Sequence, residues 1–347
     1  GVVATTEAAP QKSDILFGVA YYDEYMPYER LEKDMQMIKS ANMNVIRIAE
    51  STWGTMEPSP GNFDFKHIDR VLAAAQKHNL QVIIGLPTYA IPAWMAKAHP
   101  EVLAVTPNGQ YKFGMRQNMD ITAPYYRERA EIMIRALMNH VKDNPQVIGY
   151  QIDNETKYYN VSSENVQAGF KKYLQDKFGT VEKMDEVYGL NYWSNRINSW
   201  DELPDVTGMG LINGSISAAF DEYRRSLVTD FLTWESDLVK EYKKPDQFVT
   251  QNFDYEWRGY SFGVQPDVDQ FKAAKCLTVA SVDIYHPTQS QLTGREIGFG
   301  GDISRSLLNK NYYVMETEAQ GFPAWTPYPG QLRLQAFSHI ASGAGGI

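Results

Sequence analysis

The chain has 347 residues, of which 43% are hydrophobic and 22% are charged, so a disordered, collagen-like or coiled-coil protein is excluded. Acidic residues outnumber lysine and arginine by 42 to 33, and the formal net charge of −9 argues against nucleic acid as a partner. A single cysteine, Cys276, excludes an intrachain disulfide and a cysteine-rich zinc site.

The first thirteen residues are mostly small or polar and are predicted to form a flexible tail, like the start of an exported protein after removal of its signal. We therefore expect a periplasmic or secreted protein, with a cytoplasmic location as the alternative. No stretch reaches the roughly 18 apolar residues of a membrane span, so no membrane partner is expected.

From Ile15 onward, short β-rich apolar segments alternate with longer segments of helical periodicity, which predicts a βαβα order. The clearest helical stripe joins Ile68, Val71, Leu72 and Ala75. Seven strands are predicted, at 15–22, 44–50, 81–87, 147–155, 248–254, 278–286 and 312–320.

Apolar strands joined by helices indicate a parallel sheet covered on both faces, either a closed barrel or an open doubly wound sheet. The nearest match to a dinucleotide-binding loop, GMGLING at 208–214, has the wrong glycine spacing and is assigned to a loop. The predicted strands also end in polar residues, as they do in barrel enzymes. We therefore predict an α/β fold of the (β/α)₈, or TIM-barrel, class. The polar residues are Glu50, Asn154, Glu155, Asn252, Tyr285, Glu316 and Glu318.

Two regions depart from a regular barrel. The segment from about 160 to 245 is too long for one helix, and we interpret it as an insertion after the fourth strand that forms one wall of a cleft. The last residues, HIASGAGGI, reach only the beginning of an eighth strand, so the chain is expected to be truncated there. Further domains are expected after Ile347 in a longer polypeptide.

Two predicted strands end in acidic residues that can face each other across a barrel mouth. The fourth ends in Asp153, Asn154 and Glu155, although a helix cap or an ion pair explains this cluster equally well. The seventh contains Glu316 and Glu318, which share one face because they lie two residues apart. Two facing carboxyls can hydrolyse a glycosidic bond: one protonates the leaving oxygen, and the other attacks the anomeric carbon or activates water.

Eight sequence blocks, in this order along most of the chain, resemble glycoside hydrolase family 42, the β-galactosidases. The resemblance implies a barrel that cleaves terminal non-reducing β-D-galactosides with retention, through a covalent glycosyl-enzyme and without a cofactor. Residues 14–347 are then the catalytic domain, incomplete at its C-terminal end. The blocks are GVAYYDEYMP, NVIRIAESTWGTMEPSPGNFDF, LPTYAIPAWM, HPEVLAVTPNGQ, GYQIDNE, VTQNFD, SVDIYHP and VMETEAQGFPAW.

The same blocks imply roles for individual residues. By position, Glu155 resembles the family's general acid/base and Glu316 its nucleophile. Asn154 resembles a residue that binds the sugar hydroxyl next to the anomeric carbon, and Tyr285 resembles a tyrosine that contacts the nucleophile region. Further substrate contacts are implied for Arg116, Trp325 and Trp193.

The departures from the family pattern matter as well. The cysteine cluster that binds structural zinc in some members is missing, so no metal is expected. An unusual TKYY follows Glu155, and Glu318 stands where an amide is expected; its role is open. The substrate implied is a galactoside or oligosaccharide, and the assembly implied for a full-length protein is a homotrimer. The alternatives are an arabinosidase, fucosidase or agarase-like specificity, or a glycan-binding barrel without catalysis.

Overall fold

In this computed structural model the described residues are 14–206, 213–256, 263–285, 294–317 and 329–347. The predicted tail at 1–13 and most of the loop predicted at 208–214 lie outside them. The division of the chain into this tail and one catalytic domain stays a prediction.

Parallel strands follow one another in chain order, and each pairs with the next. The fifth strand is interrupted at Gln251: its first piece pairs with the fourth strand and its second piece with the sixth, so the strands form two sheets. All seven predicted strands are present, although most are shorter than predicted. The strands are Gly18–Ala20, Val45–Ile48, Gln81–Gly85, Val147–Gln151, Phe248–Thr250 with Asn252–Asp254, Ser281–Asp283, Tyr312–Glu316 and Ala344–Gly346.

The first and last strands meet through backbone hydrogen bonds. The Leu16 N–H donates to the Gly345 carbonyl at 3.0 Å, and the Ile347 N–H donates to the Leu16 carbonyl at 2.9 Å. The last strand, in the predicted HIASGAGGI segment, spans the three residues Ala344–Gly346; it pairs with the seventh strand and bridges to Leu16. The expectation that the chain is truncated there stays a prediction. The strand order is that of a (β/α)₈ barrel, which confirms the predicted fold class.

Helices connect the strands and bury their apolar faces against them. The predicted stripe of Ile68, Val71, Leu72 and Ala75 is buried in one of them. In the described part of the chain, no helix is both long enough and apolar enough to cross a membrane. The helices are Leu31–Ser40, Trp53–Met56, Lys66–Lys77, Ala93–Ala98, Pro124–Val141, Glu164–Phe178, Val181–Tyr188, Gly214–Lys240, Gln270–Ala273, Arg295–Leu308 and Gln331–Ala341.

The connections after the third and fourth strands are long excursions. After the fourth strand, Glu164–Phe178 and Val181–Tyr188 precede the long helix Gly214–Lys240, which confirms the predicted insertion. After the third strand, the chain forms the short helix Ala93–Ala98 and then an antiparallel hairpin at 105–110 before the next barrel helix. This second excursion was not predicted, and it supplies part of the site described next.

Candidate active site

A cavity of about 630 Å³ opens where the strands end at their carboxyl termini. Its lining comes from at least six strand ends, because each parallel strand delivers its following residues to the same edge of the fold. The segment 113–116, from the excursion after the third strand, forms one wall. The described part of the insertion after the fourth strand contributes no lining residue, and residues 207–212 of that insertion lie outside the described residues, so its predicted place in the cleft stays a prediction. The lining residues are Tyr22, Tyr25, Ser51, Tyr89, Ala90, Ile91, Phe113, Gly114, Met115, Arg116, Asn154, Glu155, Tyr285 and Glu316.

Glu316, the last residue of the seventh strand, is held by two donors. Arg47 Nη2 lies 2.6 Å from its Oε1, and the Tyr285 hydroxyl donates to its Oε2. Arg47 is itself buried in the second strand, where it also contacts Glu50 at 3.3 Å and donates to Gln151 Oε1 at 2.8 Å. These contacts fix the position of the Glu316 carboxylate at the cavity floor.

The surroundings of Glu316 favour its ionised form. Burial by itself raises the pKa of a carboxyl, but the Arg47 guanidinium and the Tyr285 hydroxyl outweigh burial here and hold the pKa of Glu316 below its ordinary value. At neutral pH this group is therefore a carboxylate, and it lines the cavity.

Glu155 faces the same cavity from the turn after the fourth strand. Its backbone is left-handed, with φ of 43°, and its N–H donates to Asn252 Oδ1 at 3.1 Å. Burial and the charges of Asp254 and Glu316 raise the pKa of Glu155 to about 7, against the opposing charges of Lys157 and Arg116. Glu155 can therefore carry a proton at neutral pH, which the ionised Glu316 cannot.

Asn154 is oriented by its neighbour on the fifth strand. Asn252 Nδ2 donates to Asn154 Oδ1 at 3.0 Å, so the Asn154 amide nitrogen turns toward Glu155 Oε1, 3.4 Å away. The remaining hydrogen-bonding capacity of this amide faces the cavity, where a ligand hydroxyl can accept from it.

The predicted site residues are not all brought together. Glu155, Glu316, Asn154, Tyr285 and Arg116 line one cavity, and Arg116 Nη2 lies 3.9 Å from Glu155 Oε1. Trp193 is not among the described lining residues; the residue is 67% exposed, and its ring packs edge-on against Tyr192 in the insertion. Trp325 and Glu318 lie outside the described residues. The roles assigned to all of these residues stay predictions.

Two buried charged residues at the site were missed. Arg47 lies in VIRI of the second strand, and Asp283 lies in SVD of the sixth. Asp283 accepts from Asn252 Nδ2 at 2.7 Å, and burial and the Glu316 charge raise its pKa well above the ordinary value. A charged residue within an otherwise apolar strand is the signal that could have identified both, because such a group is buried only with a partner.

Three carboxyls converge at the cavity floor. Among the described residues, Glu155, Asp283 and Glu316 each place a carboxylate oxygen within 4.8 Å of the others. Both oxygens of Glu316 already accept from Arg47 and Tyr285, and Asp283 accepts from Asn252. The cluster is thus organised by protein donors and by unequal proton affinities, which is an arrangement for proton transfer and nucleophilic attack.

Comparison with known proteins finds relatives of one kind. A family model described as beta-galactosidase, Glyco_hydro_42, matches residues 20–347. The beta-galactosidase BgaA of Clostridium cellulovorans is 28% identical over 339 residues, which cover 94% of this chain and 50% of that protein. The beta-galactosidase LacA of Lactobacillus acidophilus is 30% identical, with 96% of this chain and 50% of that protein covered.

A solved structure is similar over the same region. The polyextremophilic beta-galactosidase from Halorubrum lacusprofundi superposes with a TM-score of 0.87 at 26% identity, covering 96% of this chain and 52% of that chain. The chain therefore spans about half the length of the curated relatives and of the solved structure that it matches.

Proposed function

This chain belongs to glycoside hydrolase family 42, the β-galactosidases, and we propose that it is a retaining glycosidase that cleaves terminal non-reducing β-D-galactosides. The observation that carries this proposal is the pair Glu155 and Glu316. The two carboxyls share one cavity, and their environments shift their pKa values in opposite directions. An acid beside a carboxylate nucleophile is the apparatus of double displacement.

In the first step, the Glu155 carboxyl protonates the departing glycosidic oxygen while a Glu316 oxygen attacks the anomeric carbon. The C–O bond to the leaving group breaks, and a covalent glycosyl-enzyme forms on Glu316. In the second step, Glu155, now a carboxylate, removes a proton from water, and the water oxygen displaces Glu316. The product keeps the β-configuration because two inversions occur at one carbon.

The spacing of the carboxyls supports retention. Carboxylate oxygens of Glu155 and Glu316 lie within 4.8 Å of each other, whereas inverting enzymes keep their carboxyl groups about 6.5–9.5 Å apart to admit a water. Asn154 supports the same assignment, since its amide can bind a sugar hydroxyl beside the reacting carbon, a contact that strengthens as positive charge develops.

The test is hydrolysis of a panel of aryl β-glycosides, galactoside included, by the parent and by its Glu155→Ala and Glu316→Ala variants. Cleavage of the galactoside that depends on both glutamates is the expected result. Glutamate-dependent cleavage of a different sugar keeps the mechanism and overturns the galactoside preference. Binding of sugars without cleavage of any glycoside points to the non-catalytic barrel.

The pH dependence of kcat/KM is expected to follow the two carboxyls. Glycosylation needs protonated Glu155, so kcat/KM should fall as the pH rises through about 7. Glycosylation also needs ionised Glu316, whose pKa is lowered. The acid limb should therefore lie at a pH below the ordinary pKa of a glutamate. A pH profile measured on one aryl galactoside checks both limbs, and a basic limb that persists in Glu155→Gln would contradict the assignment.

The ion pair of Lys157 and Asp254, 2.8 Å apart, should tune the basic limb. The Lys157 cation lowers the pKa of Glu155 and the Asp254 anion raises it. Lys157→Met should therefore move the basic limb to higher pH, and Asp254→Asn should move it to lower pH. The control is Lys172→Met, which breaks an exposed ion pair with Asp176 within the helix Glu164–Phe178. Movement of the basic limb in the same direction in Lys157→Met and Asp254→Asn would refute the electrostatic explanation.

A further inference from the structure

Two further carboxyls are completely buried beneath the turn that carries Glu155. Asp153 follows the fourth strand, and Glu235 lies in the helix Gly214–Lys240; both are 0% exposed. Neither lines the cavity, and the proposed reaction uses neither of them. Burial of two acids side by side requires that their charge be compensated or removed.

A single hydroxyl stands between the two acids. Thr88 Oγ1 lies 2.7 Å from Asp153 Oδ1, and 2.9 Å and 3.1 Å from the two oxygens of Glu235. A hydroxyl donates one proton and accepts through its lone pairs. If both acids were ionised, the Thr88 oxygen would present only lone pairs to one of them. A proton held by one carboxyl lets both acids hydrogen-bond to the same hydroxyl.

The remaining contacts show which acid is ionised. The Thr156 hydroxyl donates to Asp153 Oδ2, so both oxygens of Asp153 can accept from hydroxyls. The Glu235 carboxyl contacts one hydroxyl, that of Thr88, and also accepts from the Asp153 backbone N–H. The order is therefore Glu235 O–H to Thr88, and Thr88 O–H to Asp153. Burial raises the pKa of Asp153 only to about 6 but raises that of Glu235 far above its ordinary value, in agreement with this order.

The nearby cations are engaged elsewhere. The Arg127 guanidinium stacks 4.1 Å above the centre of the Trp234 ring, and Lys157 pairs with Asp254 at 2.8 Å. Arg127 lowers the pKa of Glu235, and Lys157 lowers the pKa of Asp153. Burial raises both pKa values and outweighs the effect of either cation.

The ionised Asp153 closes a strained turn. Asp153 and Glu155 both have left-handed backbones, with φ of 46° and 43°, which residues other than glycine adopt at a cost. The contact from Thr156 to the Asp153 carboxylate spans this turn, with Asn154 and Glu155 between its ends. Gln151 Nε2 also donates to the Asp153 carbonyl at 2.9 Å. The direction of the Glu155 side chain thus depends on the acid at position 153.

We propose that neutral Glu235, the Thr88 hydroxyl and ionised Asp153 form a buried hydrogen-bonded chain that positions the acid/base Glu155. All three are positioning residues, since none lines the cavity. The inference rests on the proposed glycosidase function for its kinetic test, while the location of the proton can be tested without any activity.

The kinetic test compares two isosteric substitutions. In Glu235→Gln, the amide still donates to Thr88, so kcat/KM should stay within about threefold of the parent. In Asp153→Asn, an NH₂ group replaces one of two acceptors and faces a hydroxyl donor. A small displacement of a reacting group can lower the rate about 10²-fold. We therefore expect kcat/KM to fall by about that factor on a galactoside with a poor leaving group. The loss should be much smaller with a dinitrophenyl leaving group, which needs no protonation.

A second pair keeps the test decisive if Asp153→Asn does not fold. Thr88→Ser retains the hydroxyl and should resemble the parent, whereas Thr88→Val should show the same dependence on the leaving group. Glu241→Gln, on an exposed acid at the end of the same helix, is the matched control. Equal losses of kcat/KM on both substrates, or a lower Tm without any leaving-group dependence, would show that Glu235, Thr88 and Asp153 have only a structural role. Either result would overturn the proposal.

The location of the proton is tested by infrared difference spectroscopy of the parent against Glu235→Gln. The C=O band of a protonated carboxylic acid should be present in the parent and lost in the variant. If that band is unaffected, or if Asp153→Asn is tolerated while Glu235→Gln is not, the proton order is wrong. A parent that cleaves no glycoside refutes the proposed function, and the infrared result still decides the protonation of Glu235.

Discussion

Replacing Glu316 with alanine is expected to lower kcat/KM for an aryl β-galactoside by about 10⁴-fold or more, because among the described lining residues the other carboxyl, Glu155, is assigned to proton transfer. The loss corresponds to about 5.5 kcal/mol of transition-state stabilisation. Arg47 and Tyr285 both donate to this carboxylate, so the variant also leaves both residues without this shared acceptor.

The stereochemistry of rescue by azide distinguishes loss of the nucleophile from misfolding. In Glu316→Ala, azide can enter the vacated space and attack the substrate directly, so the product should be the inverted α-galactosyl azide. Glu318→Ala is the matched variant, because Glu318 lies two residues further on and spacing alone does not separate the two acids. A larger loss in Glu318→Ala than in Glu316→Ala would reassign the nucleophile.

Replacing Glu155 with alanine should give a loss that depends on the substrate. Protonation of a poor leaving group contributes about 10²–10⁴-fold, so kcat/KM should fall by that factor for an alkyl galactoside. A dinitrophenyl galactoside leaves without protonation and should still form the glycosyl-enzyme rapidly. Removal of the same group as base then slows hydrolysis, and the covalent intermediate should accumulate.

Azide gives the opposite stereochemistry in this variant. It attacks the glycosyl-enzyme from the side that Glu155 vacates, so the product should be the retained β-galactosyl azide, and mass spectrometry should detect the intermediate on Glu316. Glu164→Ala, an exposed acid in the first turn of the next helix, is the control. Equal losses on alkyl and dinitrophenyl substrates would contradict the acid/base role of Glu155.

Much of the fold was predictable because it depends on local periodicity. The strand at 147–155 and the helical stripe ending at Ala75 are both present, and only the strand's length was overestimated. The predicted strand ran into Asp153 and Glu155, where left-handed backbone ends the pairing after Gln151. Apolar patterning does not report such backbone angles, which tertiary contacts stabilise at a cost.

The site was predictable only in part. Resemblance selected Glu155 and Glu316, and both line the cavity. Arg47 and Asp283 went unnoticed because each was treated as one residue of an apolar strand, although the structure places both against the proposed nucleophile. Trp193, in contrast, was predicted to contact substrate from its sequence block, but the structure places it exposed in the insertion.

The sequence by itself determined the order of strands and helices, the barrel class and the family, because these follow from periodicity and from motifs that are local in the chain. Only the tertiary structure decided which carboxyl is protonated. Glu155, Glu316 and the pair Asp153–Glu235 are all carboxylic acids with nothing in the sequence to tell them apart. The proton affinity of each depends on burial and on partners that include residues far away in the chain: Glu316 lies 31 residues from Tyr285 and 269 from Arg47, and Glu235 lies 147 from Thr88. Those partners meet only when the barrel brings the ends of its strands together.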